Sequence, residues 1–438
     1  MEETTLVAIV GCVAVVVLML MRVWIGVALG LVSVVGFAYL VGTGPALGIL
    51  IDSPIRTVTN FEFSVIPMFI LMGALVGAGG MSRELFRAAN AWMGHFPGGM
   101  AMATIFACGG FAAINGSSLA TAATMTKVAL PEMRRAGYDP GMSLGLIAAG
   151  GTLGIMIPPS VLFVIFSILT DVDLAQLFIS GIVPGLLAIV LYCIAVQIVC
   201  AFFPHLLPRG PRASWAERMS SLRDIWATLL LFFTVIGGIY GGFTTVTEGA
   251  SLGVIGALVI GVARGRLSWN VILECLVESL RTSAGIFFIA ISAFLFQYFL
   301  AVTEASQSLA TWMTALQVEP ITIIIFIVIG YLVAGMFIDE LATVLLTVPI
   351  LFPVVVHLGF DPLYFGVLVV MTTTIGLYAP PVGIICFVLN SMVRDISLMQ
   401  IYKGTLPMLA ADLVRLTLLV AFPILSVWLP STMKIGPM

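Results

Sequence analysis

Apolar runs of about 18 to 25 residues recur along this chain from end to end, and each is long enough to cross a hydrocarbon core of about 30 Å as a helix. That feature excludes a soluble globular domain. Only 9% of the 438 residues are charged, against roughly a quarter in an ordinary soluble domain. Inside lipid a helix satisfies its own backbone groups, so the fold class expected is an all-α polytopic membrane protein. A net charge of -3, scattered along the chain, argues against nucleic acid and against a polybasic membrane patch. The six cysteines are far apart and show neither a Cys-x-x-Cys nor a Cys/His pattern, which points to neither disulfides nor zinc. The first run opens on Met1-Glu2-Glu3 and meets its first positive charge at Arg22, so it reads as a retained helix rather than a signal peptide.

Spans fall at about 5–21, 24–41, 63–80, 143–168, 177–202, 226–242, 246–263, 281–301, 362–391 and 407–429. Two apolar stretches, near 98–131 and 320–357, carry polar residues at mid-length, Asn115-Gly116-Ser117-Ser118 and Asp339-Glu340. A lipid-facing helix does not tolerate these groups. Each stretch is therefore expected to form a re-entrant helical hairpin. With the N-terminus outside and both hairpins returning to their own side, Arg22, Arg83, Arg87, Arg134, Arg135, the linker arginines, Arg264, Arg266, Arg281 and Arg394 collect inside. Acids dominate outside, with Arg56 and Lys434 as basic exceptions. Both termini are then expected outside. Ser82–Trp92 and Leu267–Ser279 are amphipathic and are expected to lie flat at the surface.

The second half repeats the first at an offset of 222. Leu119-Ala120-Thr121 returns as Leu341-Ala342-Thr343, Gly137-Tyr138-Asp139-Pro140 as Gly359-Phe360-Asp361-Pro362, Thr152-Leu153-Gly154 as Thr374-Ile375-Gly376, and Pro158-Pro159 as Pro380-Pro381. After one small indel, Asp171–Pro184 matches Asp395–Pro407. The loop charges place the two copies in opposite orientation, the arrangement from which many transporters are built. The resulting organisation is N-terminal scaffold helices over 1–62, a first repeat over 63–203, a Pro- and Arg-rich cytoplasmic linker over 204–224, scaffold helices with a surface helix over 225–280, and a second repeat over 281–438.

Each repeat follows a polar tip with Thr-x-Gly and a double proline. Proline removes donors and breaks the helix, exposing carbonyl oxygens that, with hydroxyls, suit a hard cation. The neutral oxygens of Asn115, Ser117, Ser118, Thr121 and Thr152 favour sodium over calcium. Helix N-termini at the tips suit a carboxylate substrate between them, with Asn115, Ser117, Thr121, Thr152, Asp339, Thr343 and Thr374 as candidate contacts. Close helix packing is the competing account of these small polar residues. Lys127 reads as snorkelling to the interface, and His95, His205 and His357 sit near span ends without assigned chemistry. There is no GxxxxGK[ST] loop, which leaves ion or substrate gradients as the driving force.

At Asn115-Gly116-Ser117-Ser118, Gly137-Tyr138-Asp139-Pro140 and Gly154 to Ser160, the sequence resembles, over essentially its whole length, the large membrane (M) subunit of tripartite ATP-independent periplasmic (TRAP) transporters. The resemblance implies a bacterial inner-membrane, sodium-driven elevator that takes up an organic acid. Its implied partners are a periplasmic binding protein and a small four-helix membrane subunit, here a separate chain. It also implies one sodium site at Asn115, Ser117, Ser118, Gly154, Ile157 and Pro158, and another at Gly335, Met336, Asp339, Thr373, Thr374, Gly376 and Ala379. The family often has serine where this chain has Asn115. A stand-alone sodium/dicarboxylate carrier is the alternative reading, and a channel or intramembrane protease is disfavoured.

Overall fold

The computed structural model describes residues 2–315 and 318–433; Lys434 lies outside them. Among the described residues the long elements are all α-helices. The first group is α1 (Glu2–Leu20), α2 (Ile25–Val41), α3 (Thr43–Thr59), α4 (Val65–Ala78) and α5 (Met81–Met93). Next come α6 (Gly99–Asn115), α7 (Ser118–Arg135), α8 (Pro140–Met156), α9 (Val161–Thr170) and α10 (Leu174–Phe202). The middle holds α11 (Trp215–Tyr240), α12 (Val246–Ala263), α13 (Trp269–Thr303) and α14 (Ala305–Ala315). The chain closes with α15 (Pro320–Phe337), α16 (Glu340–His357), α17 (Pro362–Gly376), α18 (Ile384–Met392), α19 (Leu398–Ala421) and α20 (Ile424–Ser431). By length and composition, eight helices among the described residues can cross a membrane. This is a multi-pass membrane protein.

Local chemistry explains the boundaries. Both polar-centred stretches are helix–turn–helix units, α6–α7 and α15–α16, broken at Gly116-Ser117 and at Ile338-Asp339. The duplicated Gly-x-Asp-Pro is a stop–turn–start signal in both places. Gly137 and Gly359 take φ of +80° and +85°, conformations that favour glycine. Asp139 and Asp361 then accept from the Met142 and Leu363 amides, each at 2.7 Å, and Pro140 and Pro362 occupy first-turn positions whose amide would be unpaired in any case. The double prolines, both with cis bonds, separate α8 from α9 and α17 from α18. The α8–α9 pair is bent by 41°. The element order α6 to α10 thus recurs as α15 to α19.

The two sets exchange partners. The first hairpin packs on α8, and its second arm α7 touches α18; the second hairpin packs on α17, and its second arm α16 touches α9. The helices α8 and α19 cross where Gly145 meets Gly404, and a Cβ on either would overlap the other helix's backbone. Small residues permit this approach where apolar burial gives little drive between helices in lipid.

Several expectations need correction. Leu267–Ser279 is not a separate surface helix, because it forms the start of the unbroken 35-residue α13. No proline or glycine interrupts 268–284, so nothing stops the helix there. The stretch Thr43–Thr59, outside the expected spans, is helical, and α11 begins at Trp215 inside the expected linker, on a Ser214/Glu217 capping box. The 362–391 span is broken into α17 and α18, as its double proline predicts, whereas the 407–429 span is replaced by α19 and α20, which part before Pro423.

Candidate functional site

The first tip is held against the first break. Gly116 turns at φ +64°, and a Cβ there would stand 2.6 Å from the Pro159 carbonyl oxygen. Ser117 caps α7 by accepting from the Ala120 amide at 3.4 Å. Behind the tip, a Cβ on Gly154 would meet the Ser117 carbonyl oxygen at 3.2 Å and Thr121 Oγ1 at 3.3 Å. A side chain on Gly154 would crowd this oxygen-rich corner. Asn115 Nδ2 donates to Thr121 Oγ1 at 3.4 Å, while Ser118 Oγ is buried without a hydrogen-bond partner among the described residues. Thr152 Oγ1 donates to the Ala149 carbonyl at 2.7 Å, so its lone pairs remain available to a cation. Asn115, Ser117, Ser118, Thr121 and Gly154 thus lie in one neighbourhood, while the hydrogen bond of Thr152 keeps to its own helix. Ile157 and Pro158 sit in the break itself, with the Ile157 side chain packed toward Gly109 and Gly185.

The second tip repeats the plan with different chemistry. Asp339 caps α16 by accepting from the Leu341 amide at 3.1 Å. Thr343 Oγ1 donates to the Asp339 carbonyl at 3.0 Å. Gly335 and Gly376 let α15 and α17 touch, and a Cβ on Gly335 would be 3.0 Å from the Thr373 carbonyl oxygen. Thr373 and Thr374 donate inside α17 to Val369 and Met371, both at 2.8 Å, which again spares their lone pairs. Met336 is one residue on from Gly335, and Ala379 follows the end of α17, its amide shared between the Ile375 and Gly376 carbonyls at 3.2 Å.

One cavity of about 550 Å³ brings both tips together. It is lined by Asn115 and Ser117 from the first and Asp339 and Glu340 from the second, by Gly73 of α4, which packs directly against Asn115, and by Glu278 of α13. Three helix N-termini border it: α7 at Ser117 and Leu119, α9 at Val161, and α16 at Glu340. Each carries partial positive charge and free amides. Among the described residues no lysine or arginine lines it. Thr121, Thr152, Thr343 and Thr374 are buried behind the tips and do not line this cavity. Glu340 Oε2 is shut off from solvent with no hydrogen-bond partner among the described residues.

Sequence reasoning missed two features. Glu274, Glu278 and Thr282 of α13 line the cavity; their four-residue spacing places them on one helix face, a signal read instead as a surface helix. Asp412 and Arg415, in mid-α19, form a buried ion pair at 2.8 Å. Two charges inside an apolar span were the available signal.

The model of the tripartite ATP-independent periplasmic transporter family, DctM component, matches residues 12–425. The chain belongs to this family. This DctM-family chain is 35% identical over 401 residues to the C4-dicarboxylate TRAP transporter large permease protein of Pseudomonas aeruginosa, covering 89% of itself and 93% of that protein. It is 32% identical to the sialic acid TRAP transporter large permease protein of Vibrio cholerae, covering 85% and 87%. In fold it is similar to the crystal structure of the Alcanivorax borkumensis YdaH transporter, with a TM-score of 0.62, 14% identity and 90% of each chain covered. The DctM-family chain is thus the large permease of a tripartite transport system, and not an enzyme.

Proposed function

We propose that this permease carries out sodium-coupled uptake of an organic acid across the bacterial inner membrane. The substrate class is a dicarboxylate, a sialic acid or a similar carboxylate, as in the names of its relatives. A periplasmic binding protein delivers it, and a separate small four-helix membrane subunit completes the scaffold.

One observation carries this reading: a cavity lies between two half-helix tips and has three helix N-termini but, among the described residues, no basic side chain on its wall. The N-termini attract a carboxylate, while the carboxylates of Glu274 and Glu278 on the same wall repel one. An anion can occupy such a cavity when cations accompany it. The oxygen-rich corners behind the tips, at Asn115/Ser117/Ser118/Gly154 and at Gly335/Asp339/Thr373/Thr374/Gly376, are suited to sodium by their mostly neutral donors. Sodium binding that draws each tip onto its broken helix would make the loaded cavity a compact unit. In an elevator mechanism, that unit slides against the scaffold. Both termini then lie in the periplasm.

The test is uptake into proteoliposomes holding the permease and its small subunit. Ligand-loaded binding protein outside and an inward sodium gradient should together drive accumulation, and omission of either should abolish it. Full uptake without binding protein would favour a stand-alone sodium/dicarboxylate carrier, and uptake indifferent to sodium would remove the coupling.

A further inference from the structure

The carboxylate of Asp412 is wholly buried in mid-α19, and one of its oxygens accepts from two phenols. Tyr192 of α10 donates to Oδ2 at 2.6 Å, and Tyr378, just past the end of α17, donates to the same oxygen at 2.5 Å. Arg415 Nη2 stands 2.8 Å from Oδ1, and Arg415 is only 2% exposed. Ion pairs buried in an apolar surrounding are costly, and apolar residues of similar volume usually pack as well. The first repeat illustrates this. At the 222 offset Tyr378 corresponds to Met156, and carrying the Pro184/Pro407 match forward sets Asp412 against Ile189. The first double-proline break therefore has Met156 and Ile189 where the second has Tyr378 and Asp412, while Tyr192, itself a donor to Asp412, stands where the second copy has Arg415.

What the anchor holds is the segment from Gly376 to Ala379. Tyr378 precedes Ala379, and the amide of Ala379 closes the last turn on the Ile375 and Gly376 carbonyls at 3.2 Å. The Tyr378 carbonyl in turn accepts from Cys386 Sγ at 3.4 Å. We propose that Asp412, acting through the Tyr378 hydroxyl, is a positioning residue for the cation site of the second hairpin: it holds residues 376–379 in place where Gly376 packs against Gly335 of that hairpin. The inference rests on the sodium reading above and adds a residue remote from the tip. Ligand groups must be held within about 0.5 Å of the productive geometry by such outer contacts.

Tyr378→Phe and Tyr192→Phe each delete one hydrogen bond to the same oxygen, but only Tyr378 belongs to the break. Initial uptake rates against sodium concentration are measured in proteoliposomes for both, with Asp412→Asn and Thr374→Ala alongside, and thermal stability is recorded for each. Tyr378→Phe is expected to raise the half-saturating sodium concentration about tenfold or more with little change in maximal rate, as loss of one hydrogen bond to a charged group implies. Tyr192→Phe should stay within twofold. Equal shifts for the two phenylalanine variants, or no shift for Tyr378→Phe while Thr374→Ala does shift, would overturn the inference and leave the sodium reading standing. Indifference of Thr374→Ala and Tyr378→Phe together would remove both. The two phenylalanine variants decide the matter even if Asp412→Asn fails to insert.

Discussion

Gly376 of α17 and Gly335 of α15 meet backbone to backbone, and a Cβ on Gly376 would overlap the Gly335 carbonyl carbon. Gly330, on the same α15, has nothing within 4 Å of its would-be Cβ. Gly376→Ala is therefore expected to push the second hairpin off α17 at a cost of about 1–3 kcal/mol, the usual range for overpacking. Gly330→Ala should be neutral or slightly stabilising. Thermal unfolding in detergent checks both, and equal melting temperatures would show that the crossing yields freely.

Ser118 Oγ is buried without a partner among the described residues, and Thr374 Oγ1 is satisfied as a donor only. Removing either oxygen should weaken sodium binding by about 1 kcal/mol, or about fivefold. Ser118→Ala and Thr374→Ala are expected to insert normally and to recover part of their uptake at higher sodium. Arg212→Ala in the linker should change little. Wild-type sodium curves for both alanine variants would mark the polar corners as packing devices.

The permease is expected to be electrogenic. A dicarboxylate brings charge -2, so net inward positive charge needs at least three sodium ions, and each net charge moved contributes about 2.3 kcal/mol per 100 mV. For a monocarboxylate two suffice. An imposed inside-negative potassium diffusion potential should accelerate uptake. A rate unchanged by the potential would argue for neutral exchange.

Pro131 in α7 and Pro353 in α16 are equivalent positions of the two hairpins. If the repeats are inverted, single cysteines near Pro131 should react with an impermeant reagent only from the cytoplasm, and those near Pro353 only from outside. Labelling of both from one side would contradict the inversion.

Arg134, at the end of α7, pairs with Asp395 in the loop before α19 at 2.9 Å. The guanidinium's hydrogen bond holds the Asp395 carboxyl below its ordinary range. A depressed carboxylate contributes stability above its unfolded value, about 4, and loses that contribution as pH falls through the folded one. Acidification below about pH 4 should thus lower the melting temperature slightly more in the wild type than in Asp395→Asn. The effect is small because the pair is exposed. Parallel pH profiles for the two proteins would show that the pair contributes nothing.

The sequence by itself determined what is decided within a few residues. Glycine with positive φ, an aspartate cap and a following proline stop and restart a helix wherever they occur, so Gly137–Pro140 and Gly359–Pro362 gave the same turn twice. The polar tips at Asn115–Ser118 and Asp339–Glu340 were legible for the same reason, as was the offset that relates them. Which helix faces meet was decided only by the tertiary structure. Lipid and a neighbouring helix are equally apolar, so hydropathy does not separate a residue facing one from a residue facing the other. That is why Glu274 and Glu278 passed for a surface helix, and why nothing local joined Asp412 to Tyr192, 220 positions earlier, or to Tyr378 beside the second break. The meeting of both tips on one cavity is likewise a product of α7 packing against α18 and α16 against α9, since these contacts join residues from opposite halves of the chain.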